Sequence, residues 1–310
     1  MIETVVPTIP TEELPAVRST LIYGLRKAKA YLELTKPRIT FEVVLIATFG
    51  YLLGTRGPVD YVLMLHTLCA VALLSSGIST LNQYLERNLD GLMKRTLHRP
   101  LPTRKVSETE ALVVGLALAI VAEWYLYFAV NELTAWLGAL TAIGYVGIYT
   151  PLKTKSTIST LIGAFPGAVP PLIGWVAASG ELSPEAWALF AIMFFWQYPH
   201  FLAIAWMYRE DYSRAAIKML PVVEPDGKRT KRQILWNTLI LLPLTLAPTL
   251  MHLTGIFYAV AAVVLGGYFL RSVLILNKTG TGQDARRVMK ASVIYISILF
   301  CVMVIDKMTP

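Results

Sequence analysis

Hydrophobic residues fill this chain in long blocks, and the polar residues collect between them. A helix of about twenty apolar residues spans a bilayer's hydrocarbon core, and runs near that length recur nine times. Their approximate limits are 38–55, 61–82, 110–130, 133–150, 159–178, 185–206, 235–253, 255–276 and 288–306. Only Asn131 and Glu132 separate the third run from the fourth, and only His252 to Gly255 separate the seventh from the eighth. Those pairs read as antiparallel helical hairpins. No run reads as a strand, because an open sheet edge in lipid leaves backbone groups without partners. The pattern predicts an all-α polytopic membrane protein with nine transmembrane helices.

Composition agrees. The 310 residues are 55% hydrophobic and 15% charged, with a mean hydropathy of +0.56, which excludes an ordinary soluble domain. Cys69 and Cys301 both lie in apolar runs, which argues against a disulfide framework or a thiolate metal site. Residues 1–36 carry Glu3, Glu12 and Glu13 and no apolar core, unlike a signal peptide or a mitochondrial presequence. They read as a cytoplasmic arm leading into an interfacial segment at 21–34. The membrane domain then occupies 37–310.

A net charge of +8 would suit a nucleic-acid binder, but its distribution decides otherwise. With the N-terminus inside, 26 of the 28 Lys and Arg residues fall in loops on one face, leaving only Arg56 and Lys307 on the other. A missed span would invert every later loop, so this asymmetry supports both the helix count and a cytoplasmic N-terminus with the C-terminus outside. The basic loops face the cytoplasm and lipid headgroups, and no nucleic-acid partner is expected.

Chemistry concentrates where the second run ends. Asn82, Glu86 and Asp90 recur every four residues, a spacing that stacks them on one helix face. Two carboxylates so placed repel each other and call for a cation. An oxygen-only ladder suits Mg²⁺, which binds one or two carboxylates and fills its remaining positions with water and substrate phosphate. Lys94, Arg95, His98, Arg99, Arg104 and Lys105 follow at once, a set able to grip a diphosphate. The competing reading is a helix end at the membrane surface, with Asp90 paired to Lys94 and the basic residues facing headgroups.

A second polar stretch lies on the same face four spans later. It runs from Trp196-Gln-Tyr-Pro-His200 through Glu210, Asp211 and Arg214 to Lys218. Two acidic helix ends and two basic loops on one side could clamp one Mg²⁺ ion or two with a diphosphate. The apolar bundle would hold a long hydrocarbon tail away from water. His200 follows Pro199 within a span, where an imidazole needs a partner. Haem iron accepts an axial His, so His200 is the candidate for orienting a porphyrin, against a hydrogen bond to a neighbouring helix. Trp196 and Tyr198 could line the same pocket. His66 and His252 read as interfacial histidines, Glu42 as a residue snorkelling from a helix end, and the mid-span Glu123 has no assigned role.

The ladder resembles the first acidic motif of the intramembrane UbiA-type prenyltransferase superfamily. Within it, several stretches are similar to the haem O synthase (protoheme IX farnesyltransferase) branch. They are Leu34-Thr-Lys-Pro-Arg-Ile-Thr40, Met93-Lys-Arg-Thr-x-x-Arg-Pro-Leu101, Tyr149-Thr-Pro-Leu-Lys153 with Gly163 to Pro171, Trp196 to Phe201, and Asp211 to Pro221. The resemblance spans about residues 30 to 305 and implies nine helices around a central cavity. It assigns Asn82, Glu86, Asp90 and Asp211 to metal binding, with Glu210 as a further candidate, and Mg²⁺ as the cofactor. Tyr149 and Lys153 would lie near the diphosphate and the cation, while Lys36, Arg38, Arg95, Arg99, Lys153, Arg214 and Lys218 would hold phosphate oxygens. Glu86 replaces the Asp usual in quinone-making members, and adjacent Glu210 and Asp211 replace their spaced Asp pair.

The activity implied is farnesyl transfer from farnesyl diphosphate to a vinyl group of haem b, with water addition, giving haem O for a terminal oxidase. Haem is then a substrate, not a prosthetic group. Expected surroundings are a bacterial inner membrane with the active site at the cytoplasmic side. Haem A synthase or oxidase-assembly proteins are the expected protein partners. The rival readings are a prenyltransferase for a quinone or chlorin acceptor and, in a different class, a transporter or haem carrier, which Pro/Gly-broken helices would also fit.

Overall fold

The computed structural model describes residues 13–308; the first twelve residues of the expected arm lie outside that range. Among the described residues, nine helices are long and apolar enough to cross a membrane. A preceding helix, α1 (Glu13–Leu34), leads into them. The spans are α2 (Pro37–Gly54), α3 (Tyr61–Asp90), α4 (Glu108–Ala129), α5 (Glu132–Leu152), α6 (Ser159–Ser179), α7 (Pro184–Met207), α8 (Lys228–Leu250), α9 (Ile256–Thr279) and α10 (Gly282–Ile305).

The nine runs read from hydrophobicity all become helices, and three of their limits move by about six residues or more. α3 continues eight residues past the apolar run, to Asp90, so the ladder is the last two turns of an unbroken membrane helix. α8 starts at Lys228 and α10 at Gly282, each within polar sequence. Apolar counting stops at the first charge, whereas a helix continues while its polar residues find partners.

Helix starts follow local capping. Asp60 accepts from the Val62 and Leu63 amides to begin α3. Ser107 and Glu110 form a reciprocal capping box at α4, the arrangement that satisfies two orphan donors at once. Asn131 caps α5 and also donates to the Val176 carbonyl of α6, 3.2 Å away. The end of α5 widens into a π-helical stretch, Ile143–Tyr149, just before Pro151. α6 is interrupted at Val169, between Pro166 and Pro170.

Close helix approach positions α2 against α6. Gly50 and Gly54 of α2 face backbone atoms of Pro171 and Trp175; a Cβ on Gly54 would lie 2.8 Å from the Trp175 carbonyl oxygen. This small-xxx-small spacing lets membrane helices touch backbone to backbone. The largest buried apolar cluster joins α2 and α6 to α7, α8, α9 and α10.

Two ends of the bundle are distinct. One gathers Arg56 with Glu181, Gly255 with Asp306, and Lys307 with the end of α2. The other gathers the ends of α1, α3, α5 and α7 with their basic loops. α1 docks there through Lys27, whose ammonium is 2.8 Å from Glu110, while Gln83 of α3 donates to the Glu33 and Leu34 carbonyls. Ile22, Leu25 and Leu32 remain exposed on α1.

Candidate active site

The last two turns of α3 turn Asn82, Glu86 and Asp90 inward, with exposures of 1%, 6% and 1%. Each is met by a cation from a different part of the chain. The Lys36 ammonium donates to Asn82 Oδ1 at 2.6 Å. The Lys153 ammonium is 2.5 Å from Glu86 Oε1. Arg99 donates to both Asp90 oxygens at 2.8 Å. Asp90 therefore takes Arg99 from the following loop and not Lys94, the partner that the surface-helix reading supposed. The Asn82 amide donates onward to Thr150 Oγ1 at 3.1 Å.

Three basic side chains and two carboxylates share this basin, and positive charge exceeds negative whenever Lys36 is protonated. Burial, and after it repulsion from the Arg99 guanidinium, pushes the Lys36 pKa down to about 7. Lys153 goes the other way: burial works against its charge, but Tyr149 and Glu86 hold it above the ordinary lysine value. A buried site with excess positive charge favours a polyanion.

Lys36 is held there by its backbone. It caps α2 with φ +48°, in the left-handed region, immediately before Pro37. A β-carbon-bearing residue pays roughly 1–2 kcal/mol for that conformation, and such strain concentrates at functional sites.

Asp211 forms the second acidic element. It lies in a short helix, Arg209–Arg214, just after α7, and is 7% exposed. It accepts from the Lys94 and Arg95 amides at 3.4 and 3.3 Å and is ion-paired with Arg214. The Arg95 guanidinium faces the rings of Tyr208 and Tyr212. The loop after α3 thus ties the two acidic elements together, through Arg99 to Asp90 and through the Lys94 and Arg95 backbone to Asp211. The Lys218 amide closes the circuit on the Lys153 carbonyl at 2.8 Å. A cavity of about 440 Å³ opens beside Asp211, walled by Lys94, Arg95, Met207, Tyr208, Glu210 and Arg214.

Tyr149 lies beneath Lys153, whose ammonium is 4.5 Å from the ring centroid. Gly163 abuts the same ring, where a Cβ would come within 2.6 Å. Arg38, Arg95, Arg104, Lys105, His98 and Lys218 are exposed at this end.

His200 belongs to a different neighbourhood. Its Nδ1 is 2.8 Å from Ser292 Oγ on α10, and its ring stacks on Trp196 with centroids 4.8 Å apart. The helix-to-helix hydrogen bond considered for it is present, and the other ring nitrogen has no protein partner among the described residues. His66 bonds Tyr125, and Glu123 packs on Gly138 with one oxygen buried and unpartnered. Glu42 is exposed.

The donor set can be tested against a metal. Among the described residues no group of three His, Cys, Asp or Glu could enclose an ion. The ladder offers two carboxylates and one amide, too few oxygens for a protein-only cage but suited to Mg²⁺, which completes its shell with water and phosphate. The residues fit an ion that arrives with a diphosphate. Sequence reasoning missed Thr150, Gln83 and Ser292, which are ordinary polar residues whose partners are distant in sequence.

These features define a polytopic helical membrane transferase with a polyanion basin at one end of the bundle. Residues 43–298 match the UbiA prenyltransferase family, to which the chain belongs. It is 43% identical over 286 residues to the protoheme IX farnesyltransferase of Solibacter usitatus, covering 89% of this chain and 98% of that one. It is 45% identical over 276 residues to the protein of the same name from Salinibacter ruber, covering 89% and 98%. Among solved structures, a digeranylgeranylglyceryl phosphate synthase superposes with a TM-score of 0.77 at 19% identity, covering 90% of this chain and 98% of that one. A UbiA homologue from Archaeoglobus fulgidus bound to DMAPP and Mg²⁺ gives 0.67 at 20% identity, covering 88% and 98%. At such identities these two share the fold.

Proposed function

We propose that this protein transfers the farnesyl group of farnesyl diphosphate to a vinyl group of haem b, giving haem O and diphosphate. The observation that carries the reading is the 43–45% identity, over nine-tenths of the chain, to proteins named for that reaction. The polyanion basin supplies its physical basis.

In this reading Asn82, Glu86, Asp90 and Asp211 hold Mg²⁺. Bound there, Mg²⁺ neutralises diphosphate charge and makes it a better leaving group. Lys36, Arg99 and Lys153 turn from the ladder toward phosphate oxygens as the diphosphate arrives, and Arg38, Arg95, Arg214 and Lys218 extend the grip outward. Leaving diphosphate takes the electron pair of the C–O bond, and Tyr149 offers a π face to the farnesyl cation. The vinyl π electrons form the new C–C bond. Water adds to the porphyrin-side carbon and loses a proton, completing haem O. His200 orients the porphyrin through its free ring nitrogen.

Residues 1–36 serve as a cytoplasmic arm and 37–310 as one catalytic domain of a bacterial inner membrane. The 26-to-2 division of Lys and Arg supports placing the site at the cytoplasmic face, with the C-terminus outside. Haem O then supplies a terminal oxidase, with haem A synthase or assembly proteins as receiving partners.

The test is purified protein with Mg²⁺, farnesyl diphosphate and either haem b or 4-hydroxybenzoate, read by product mass. Farnesylated, hydrated haem is expected. Prenylated 4-hydroxybenzoate with unchanged haem would overturn the acceptor assignment.

A further inference from the structure

A second surface cavity, of about 460 Å³, adjoins the one beside Asp211. It is lined by Met207, Tyr208, Gly282, Gln283 and Arg286, and shares Met207 and Tyr208 with its neighbour. Arg286 is its only charged wall. Among the described residues Arg286 has no hydrogen-bond or ion-pair partner, although an acid is close in sequence. Asp284 is already saturated, by Arg287 at 2.7 Å and by the Thr279 and Thr281 hydroxyls at 2.6 Å each. Of two adjacent arginines, one is neutralised and the other is left at the cavity.

The cavity lies at the mouth of the seam that holds His200. Along α7, Met207 is seven residues beyond His200, about 10 Å along the axis and on nearly the same face. Across the seam, α10 supplies Ser292 to His200 and Arg286 to the cavity. Trp196 pins the seam at the Ser292 carbonyl, 2.7 Å away, and Trp206 reaches the Gly280 carbonyl just before α10 at 3.0 Å.

We propose that Arg286, in the cavity it shares with Gln283 and Tyr208, is a carboxylate-binding site that holds the propionate edge of the porphyrin acceptor. This rests on the haem-farnesylating function proposed above. A guanidinium fork matches a carboxylate in two parallel hydrogen bonds, and Met207 and Tyr208 give the porphyrin edge apolar and aromatic contact. Tyr208 separates this arginine from Arg95 and Arg214, so the carboxylates and the diphosphate meet different guanidinium groups. A lipid phosphate would use the same chemistry at Arg286, and the test separates the two.

Steady-state kinetics on the solubilised protein would compare wild type with Arg286→Gln and Arg286→Lys, each with haem b and with its dimethyl ester. The expected result is a KM for haem b raised about tenfold or more in Arg286→Gln, partly restored in Arg286→Lys. The KM for farnesyl diphosphate should be unchanged and kcat at saturating haem retained. Wild type should show a similar loss with the dimethyl ester, and Arg286→Gln should no longer distinguish the two haems. A wild-type KM for haem b in Arg286→Gln would overturn the proposal, as would equal affinity of wild type for the ester and the acid. Loss of phosphatidylglycerol binding in Arg286→Gln with haem kinetics intact would reassign the site to lipid phosphate and likewise overturn it. If wild type itself farnesylates another acceptor and never haem b, the functional reading fails and takes this site with it.

Discussion

Lys153 and Glu86 are 67 residues apart in sequence, yet the ammonium stands 2.5 Å from the carboxylate, with both side chains largely buried. Removing one partner of a buried ion pair leaves an uncompensated charge and costs about 3–5 kcal/mol, whereas replacing both can be nearly neutral. Glu86→Gln and Lys153→Met should each lower the detergent-solubilised protein's stability by that order. The double variant should regain much of it while remaining inactive. Thermal melts beside turnover assays check this; a double variant that turns over normally would show the pair to be structural only.

Asp90 is bound by Arg99 through both oxygens, so its charge is partly committed before any metal arrives. Asp90→Asn keeps the shape and can still accept a hydrogen bond, but it loses the charge that a hard cation prefers. If Asp90 ligates Mg²⁺, the variant should lose roughly a hundredfold or more in turnover, a few kcal/mol of charge stabilisation. Raising Mg²⁺ should recover part of that loss. Haem b conversion at the wild-type rate by folded Asp90→Asn protein would remove it from the metal site.

The parts of this site that could be read from sequence are those encoded by local period. Asn82, Glu86 and Asp90 declare themselves because a helix turns a four-residue spacing into a face. The nine spans do so because lipid admits no alternative to a satisfied helix. The pairings were not legible. Nothing in the spacing of Thr150 says that it receives the Asn82 amide, and nothing around Ser292 says that it meets His200. These contacts are set by which helices lie side by side, and apolar runs of similar length are interchangeable in that respect. Hydropathy alone would end α3 at residue 82, because it registers charge as a helix end; the four-residue period carries the helix on to Asp90, and Lys36, Lys153 and Arg99 make those turns stable in place.

Lys36 combines a strained backbone with a contact to the ladder, and the two can be separated. Lys36→Gly relieves a left-handed conformation worth roughly 1–2 kcal/mol while removing the hydrogen bond to Asn82. The two effects nearly offset in stability. They do not offset in binding if Lys36 meets the diphosphate as proposed: the KM for farnesyl diphosphate should then rise about tenfold or more. A melting point near wild type with that shift in KM is the expected pair of results. A large fall in melting point with an unchanged KM would make Lys36 a structural clamp instead.

At the opposite end of the bundle, Lys307 donates to the Leu52 and Thr55 carbonyls, closing the C-terminal end of α2, while the adjacent Asp306 accepts the Tyr258 amide at 2.7 Å. This clasp joins the last described residues to the first span, far along the chain. Lys307→Met leaves two carbonyls without their donor, a loss of about 1–3 kcal/mol, and should leave farnesyl transfer unchanged because no site residue lies at that end. Burial holds the Lys307 ammonium below the ordinary lysine value. In the window just under that value the unfolded chain therefore keeps a proton that the folded chain has released. Stability should rise with pH across that window, and the rise should be shallower in Lys307→Met. Melting curves of the two proteins across alkaline pH test the sign: an equal slope would mean that Lys307 titrates as it does in the unfolded chain and that its two hydrogen bonds, not its burial, account for its contribution.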